Sequence, residues 1–244
     1  MTDCPLVTIL LCTHAGEATV AAALESALAQ RTDVPYEVVV EIDGVVDDTH
    51  AIVRKYSYDE PRIRTSVLGK HQGLVHACNH GLKMACGQFV TRLDDDDLLH
   101  PDAVERLSRH LREGRADWAC CDRSVVDVKT GGMRRARVGP ISGQDGIARL
   151  AACGVMYWRN LVLDLGGYRD LFWAEHDLNM RYAALSRKPL HHVAAPLYLH
   201  AARPEGENEA MRRGWAELAG LWGGDALLAH GFTRHMEDGP CVSC

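Results

Sequence analysis

Long hydrophobic runs are missing from this sequence. The longest apolar stretch, residues 6–12, is interrupted by Thr8 and falls far short of the ~20 residues that a membrane-spanning helix needs. No basic segment followed by a hydrophobic run opens the chain, so no export leader is read there. A broad basic face is missing too. Lys and Arg number 27 against 33 Asp and Glu, and the basic residues are scattered except for Arg134, Arg135 and Arg137. That pattern excludes the electrostatic footprint of a nucleic-acid binder. Internal repeats, low-complexity tracts and linkers are also absent, which points to a single domain over residues 1–244. The expectation is a cytoplasmic protein with no integral membrane segment; a homo-oligomer is compatible with it. Nine cysteines are an odd count, and in a reducing compartment they are expected as free, mostly buried thiols.

What is present is ordinary globular composition, 47% hydrophobic and 25% charged, in a chain long enough to bury a substantial core. Residues 6–12 and 37–42 are short runs rich in Val, Ile and Leu. Between them Val20, Leu24, Ala27 and Leu28 keep the spacing of one helix face. The alternation continues with a helix near 47–57, a strand near 63–68, a helix near 74–86 stopped by Gly87, and a strand near 88–93. Such alternation predicts an α/β fold, a mainly parallel, Rossmann-like sheet flanked by helices. Behind it, Pro101, Asp102 and Glu105 open a helix whose buried stripe is Val104, Leu107 and Leu111. A strand is expected at 118–121, a hairpin turn at Thr130-Gly131-Gly132, and a last strand at 196–199. Residues 1–115 thus read as a nucleotide-binding half and 116–244 as a smaller, irregular acceptor-binding half. Acceptor contacts are expected around Asp122, 134–137 and 154–159.

Asp94, Asp95, Asp96 and Asp97 are four adjacent carboxylates at the end of a predicted parallel strand. They repel one another, and a cation relieves them; ligands of such sheets bind outside the carboxyl ends of the strands. A magnesium or manganese ion takes hard oxygen ligands and keeps positions for phosphate. A solvated acidic loop capping the next helix is the alternative for the run alone. Asp43 ends the second strand and Thr13-His14 the first, so all three segments converge on one crevice. A carboxylate there can accept the imide N–H of uracil or thymine, and an imidazole can stack on a base.

These segments resemble the family-2 glycosyltransferases, inverting enzymes with the GT-A fold. The resemblance rests on Cys12-Thr13-His14-Ala15, on Ser26-Ala27-Leu28-Ala29-Gln30, and on the stretch from Glu41-Ile42-Asp43-Gly44 to Asp47-Asp48-Thr49. It continues through His71-Gln72-Gly73-Leu74, Ala77-Cys78-Asn79-His80-Gly81 and Leu93-Asp94-Asp95-Asp96-Asp97 to Pro101-Asp102. Departures are His14 for a tyrosine, Ile42 for an aspartate and Cys78 for an arginine. The resemblance implies that Thr13, His14, Asp43, Gly73, Asn79, Asp94 and Asp95 bind the nucleotide. It also implies that Asp96 touches the metal with Asp94, and that His200, after the last strand, is a further ligand candidate. Gly166-Gly167-Tyr168 and the run from Trp173 to Arg181 resemble later family segments, and place Glu175 as the catalytic base with Asp177 and Arg181 in support.

The function implied is transfer of a sugar from a UDP- or dTDP-sugar to an acceptor hydroxyl or amine, assisted by Mg2+ or Mn2+. The nucleotide-diphosphate sugar is the donor partner; the acceptor is a small molecule, saccharide or peptide. One alternative is a nucleotidyltransferase, although residues 13–19 offer no Lys or Arg and one glycine for a triphosphate loop. Another is a non-catalytic nucleotide-sugar-binding partner protein. Met211, Trp215, Leu218 and Trp222 form a helical stripe read as core packing. Cys241 and Cys244, with His230 and His235 upstream, have zinc-like spacing at the chain terminus.

Overall fold

The computed structural model of the chain describes residues 5–127, 130–138, 141, 147, 150, 153–171 and 173–202. The expectations for the stripe at Met211 to Trp222 and for Cys241 and Cys244 lie outside these residues. Four strands form the centre: β1 (Val7–Thr13), β2 (Tyr36–Asp43), β3 (Ile63–Leu68) and β4 (Phe89–Asp94). They pair in parallel in the order β3-β2-β1-β4. Every residue of β1, β2 and β4 is buried, as strands covered on both faces must be.

The two covers follow from the alternation of side chains along a strand. Val7, Ile9 and Leu11 of β1 join a cluster with α1 (Val20–Leu28), Val53 of α2 (Thr49–Asp59), and Val104, Leu107 and Leu111 of α4 (Ala103–Arg112). Leu10 and Cys12 point the other way. They pack with Ala77, Cys78 and Leu82 of α3 (Leu74–Met84), with Val162 of α5 (Arg159–Asp164), and with Leu178 and Tyr182 of α6 (Ala174–Leu185). On β4, Phe89 and Leu93 belong to the first cluster and Val90 to the second, so Arg92 and Asp94 face α3 and α6.

The second half extends the same sheet. β8 (Val155–Trp158) lies antiparallel between β4 and β6 (Trp118–Asp127); β9 (Leu190–Ala202) runs parallel to β6 and carries β5 (Leu98–Leu99) on its far side. The sheet is therefore parallel over β1 to β4 and mixed beyond them. The expected turn at Thr130-Gly131-Gly132 joins β6 to β7 (Met133–Ala136), closed by the Gly131 N–H on the Asp127 carbonyl at 2.8 Å. The segment 154–159, expected at the acceptor side, is instead an internal strand. Val155, Met156 and Tyr157 are buried between β4 and β6, because a run of Val, Met, Tyr and Trp fills the centre of a sheet better than a polar surface. Asp122 is buried as well. It accepts from Arg135 at 2.5 Å, His192 at 2.8 Å and the Val138 N–H at 3.0 Å, which fixes the β6–β7 hairpin to β9.

Candidate active site

β1, β2 and β4 end side by side. Cys12 lies opposite both Glu41 and Asp94, and Thr13 opposite Ile42, so the residues that follow these strands share one edge. The Thr13 hydroxyl donates to Asp95 at 2.5 Å. His14 lies on the Asp43 carbonyl oxygen through Nδ1 at 2.6 Å, and its ring sits 3.9 Å from that of His71, centroid to centroid. The Asp43 carboxylate is 2% exposed. It accepts the N–H groups of Gln72 and Gly73 at 2.7 and 2.8 Å and meets His71 Nδ1 at 2.8 Å. Asp43 thus holds the loop that turns at Gly73 (φ 93°) to start α3. The exposed imidazoles of His14 and His71 form the rim beside it.

The four adjacent aspartates have four different environments. Asp97 is fully buried and accepts the Ala201 N–H at 2.8 Å, the Tyr198 hydroxyl at 2.7 Å and His200 Nδ1 at 3.1 Å. It anchors β9 to the acidic loop. Asp94 is paired with Arg92 at 2.8 Å through Oδ1 and 3.1 Å through Oδ2, and the Cys153 thiol donates to Oδ2 at 2.8 Å. Asp95 and Asp96 are half-buried. Burial pushes the Asp95 carboxyl up to about 6; the Thr13 hydroxyl pulls against that rise, and the charges of Asp96 and Asp94 add to it.

A divalent cation fits this loop. Asp95 and Asp96 offer hard oxygen ligands, and burial together with the neighbouring carboxylates of Asp96 and Asp94 raises the Asp95 carboxyl, which a cation would reverse. His200, expected as a further ligand candidate, meets Asp97 through Nδ1 at 3.1 Å, a carboxylate contact of the kind that orients an imidazole. Asp94, Asp97 and Cys153 also bring ligand atoms within 4.8 Å of one another, but there Arg92 already supplies positive charge and Asp97 accepts three hydrogen bonds.

The acids of α6 divide sharply. Asp177 is fully buried and accepts from Arg181 Nε at 2.7 Å; Arg181 in turn donates to the carbonyl oxygens of Leu165 at 2.8 Å and Gly167 at 2.7 Å. Asp177 is a support. Glu175 is half-buried, ion-paired with Arg92, and lines a cavity of about 180 Å³ between the first turns of α3 and α6. Gly73, Leu74, His76, Asp170 and Trp173 share that cavity. Asn79, expected beside the nucleotide, spends both ends of its amide on Tyr168: Nδ2 donates to the carbonyl oxygen at 2.8 Å and Oδ1 accepts the N–H at 2.9 Å. It holds the turn that leads into α6.

Two participants were not singled out from the sequence, Arg92 and Cys153, whereas His71 opens the stretch through Gly73 and Asn79 on which the resemblance rests. Arg92 had a signal, because a cation two places before Asp94 on one strand must share its face. Cys153 comes from a loop remote in sequence, and nothing local marks it.

Matching the chain to family models gives "Glycosyl transferase family 2" over residues 8–194. The succinoglycan biosynthesis protein ExoO of Rhizobium meliloti is 33% identical over 130 residues, 53% of this chain and 36% of that protein. Chondroitin synthase of Escherichia coli is 36% identical over 109 residues, 45% of this chain and 16% of that protein. The matched region thus spans about a third or less of either relative. Among solved structures, S. aureus TarS 1-349 in complex with UDP-GlcNAc superposes with a TM-score of 0.74 at 22% identity, over 95% of this chain and 72% of that one. The mannosyltransferase PcManGT of Pyrobaculum calidifontis, in complex with GDP-Man and Mn2+, gives 0.62 at 18% identity, over 99% and 67%. At these identities the likeness is one of fold.

Proposed function

The chain belongs to glycosyl transferase family 2 and has the GT-A fold of that family's enzymes, and from that premise we propose that it moves a sugar, with inversion, from a UDP- or dTDP-sugar to an acceptor hydroxyl or amine with the help of Mg2+ or Mn2+. One observation carries the reading: acids from two separate elements, Asp94 at the end of β4 and Glu175 on α6, meet on the two arms of Arg92, and Glu175 lines the cavity between α3 and α6. The run Asp94–Asp96 suits a donor diphosphate with its cation. Glu175 suits the acceptor.

In this reading the base lies against the His14–His71 pair, above Asp43 and Thr13. Asp43 acts there both on the base and by holding the loop that carries His71 and Gly73. Asp94 and Asp95 lie toward ribose and diphosphate. Asp96 is the metal ligand we assign, with Asp94 and His200 as its neighbours. When bound, the cation neutralises charge on the diphosphate. The acceptor occupies the cavity beside Trp173. Its oxygen or nitrogen attacks the anomeric carbon from the face opposite the diphosphate, and its proton passes to Glu175. The bond from the anomeric carbon to the diphosphate oxygen breaks, and its electron pair leaves with the nucleotide.

The UDP-GlcNAc of TarS and the GDP-Man and Mn2+ of the mannosyltransferase support a nucleotide-sugar donor and a cation. Because the relatives are much longer than the matched region, the acceptor class is left broad. Thermal melts with UDP, dTDP, GDP and ADP, each in manganese and in EDTA, test the proposal, since a ligand of the native state raises its melting temperature. Stabilisation by UDP or dTDP in manganese is expected. Stabilisation by GDP or ADP instead would overturn the pyrimidine assignment, and none by any nucleotide would overturn the donor site.

A further inference from the structure

Arg92 is 3% exposed and sits on β4 two residues before Asp94. That spacing puts both side chains on the sheet face covered by α3 and α6. One arm of its guanidinium, Nη2, meets Asp94 Oδ1 at 2.8 Å and Oδ2 at 3.1 Å; the other arm, Nη1, is ion-paired with Glu175 Oε1. Nη2 also reaches the Cys153 thiol at 3.5 Å, and that thiol donates to Asp94 at 2.8 Å. A single buried fork therefore ties an acid of the donor side to the acid of the acceptor side, although 81 residues of sequence separate Asp94 from Glu175.

We infer that Arg92 is the positioning residue of the reaction. It fixes the distance between the donor-side carboxylate and the general base, and it acts on turnover through Glu175. The inference rests on the assignment of Glu175 as base. Three physical arguments carry it. First, Glu175 is on the first turn of α6 and its side chain has several rotatable bonds, so a base at that position wanders unless something holds it. Arg92 holds one oxygen, and the second oxygen is then the atom that takes the acceptor proton. Secondly, the guanidinium lies between the two carboxylates, one on each arm, and so holds together two groups of like charge that would otherwise move apart. Thirdly, the geometry is specific to arginine. The planar fork offers two arms in fixed directions, whereas a lysine ammonium is one point charge and serves one carboxylate well at a time.

The partner groups on the same pocket do not substitute for Arg92. Arg181 is committed to Asp177, Leu165 and Gly167, and Arg169 approaches Asp177 at 3.4 Å. His76 and Asp170 line the cavity with Glu175 and lie on its acceptor side. A role in stability alone predicts that losses at Arg92 and Glu175 multiply. A role through Glu175 predicts that they do not.

The test is a double-mutant cycle on turnover, with Arg92→Met, Glu175→Gln and the pair. The probe is UDP-GlcNAc with manganese, water or an added acceptor taking the sugar, and release of UDP is followed. Glu175→Gln alone should lose on the order of a hundredfold in kcat. Arg92→Met should lose a similar factor in kcat at saturating UDP-GlcNAc, the usual scale for a misplaced catalytic group. The double variant should be no slower than Glu175→Gln. If the two losses multiply, or if Arg92→Met turns over normally, the inference is wrong while the base assignment stands. If Glu175→Gln is fully active, the base assignment itself fails, and that result appears without reference to Arg92. Should Arg92→Met not fold, Arg92→Lys takes its place in the cycle, with partial retention of kcat expected. A crystal structure of the Arg92 variant decides the matter even for a donor that is not turned over. Displacement of the Glu175 carboxylate is expected, and an unmoved Glu175 overturns the inference.

Discussion

Arg181 stands one helical turn after Asp177 and clamps it at 2.7 Å, while its two other nitrogens hold the carbonyl oxygens of Leu165 and Gly167. Both side chains are buried, so this pair ties α6 to the turn in front of it and has no open face toward a substrate. Glu175, two residues earlier, faces the cavity. The two acids should therefore fail differently. Asp177→Asn leaves a buried guanidinium under-compensated and is expected to cost about 3 kcal/mol of folding stability. Glu175→Gln should melt within a few degrees of the parent and lose on the order of a hundredfold in kcat. Urea unfolding and kinetics on both variants check the division. An inactive but fully stable Asp177→Asn beside an active Glu175→Gln would move the base by two residues.

Gly167 makes a second, purely structural prediction. Its φ is +74°, and a Cβ there would run into Oδ1 of Asn79, the oxygen that accepts the Tyr168 N–H. Gly167→Ala combines left-handed strain with the loss of that clamp and should destabilise by roughly 1–3 kcal/mol. Because α6 begins just beyond this turn, the position of Glu175 should suffer as well. Denaturant midpoints for Gly167→Ala and Asn79→Ala measure the first effect, and kcat at a temperature where both remain folded measures the second. A Gly167→Ala protein with the parent's midpoint would contradict it.

How far the sequence revealed this molecule depended on the range of the forces involved. β1 to β4 and α1 to α4 were legible because short apolar runs alternate with stretches at helical spacing, with Gly87 marking the end of one helix and Pro101-Asp102 the start of another. The convergence of Thr13, His14, Asp43 and Asp94–Asp97 was legible because a parallel sheet brings strand ends together. The individual partnerships were not. Asp97 looks no different from Asp95 in the sequence, yet one is fully buried under β9 and the other half-buried beside Thr13. Asn79 reads as a polar helix residue facing a ligand, and it faces Tyr168, 89 residues later. Val155, Met156 and Tyr157 lacked the context that makes them the strand between β4 and β6, since antiparallel insertion into a parallel sheet leaves no local pattern.

Asp95 gives a pH-dependent prediction whose sign can be worked out. Its carboxyl is raised from 3.8 to about 6 in the folded protein, chiefly by burial. Below 3.8 it is neutral in both the folded and unfolded chains, and no penalty arises. Between 3.8 and 6 the folded state binds more protons, so its stability falls as pH rises; above 6 the penalty is complete. Asp95→Asn removes the titration and keeps an oxygen for the Thr13 hydroxyl. In EDTA the variant should gain on the parent by up to about 3 kcal/mol between pH 4 and pH 7. Urea unfolding of both proteins at the two pH values gives the difference, and other groups cancel because they are common to both. A constant difference across that range would show that Asp95 is solvated like an ordinary surface acid.

The same cluster of carboxylates sets the expectation for nucleotide binding. A diphosphate brought toward Asp94, Asp95 and Asp96 meets like charge, and Arg92, paired with Asp94, is shared with Glu175. A divalent cation between phosphate and carboxylate converts repulsion into attraction. UDP should therefore bind more tightly in manganese than in EDTA by about tenfold or more, the equivalent of ~1.4 kcal/mol. Calorimetric titration of UDP under the two conditions measures this. Asp96→Ala should remove most of the manganese dependence with an unchanged melting temperature in EDTA, because Asp96 lies on the loop and outside the two hydrophobic clusters. His200→Ala distinguishes a ligand from an anchor. Loss of manganese-dependent UDP affinity with the fold intact would place His200 at the cation. A lowered melting temperature in EDTA with the manganese effect preserved would leave His200 as a partner of Asp97 that secures β9. Equal affinity for UDP in manganese and EDTA in the parent protein would remove the cation from the donor site altogether.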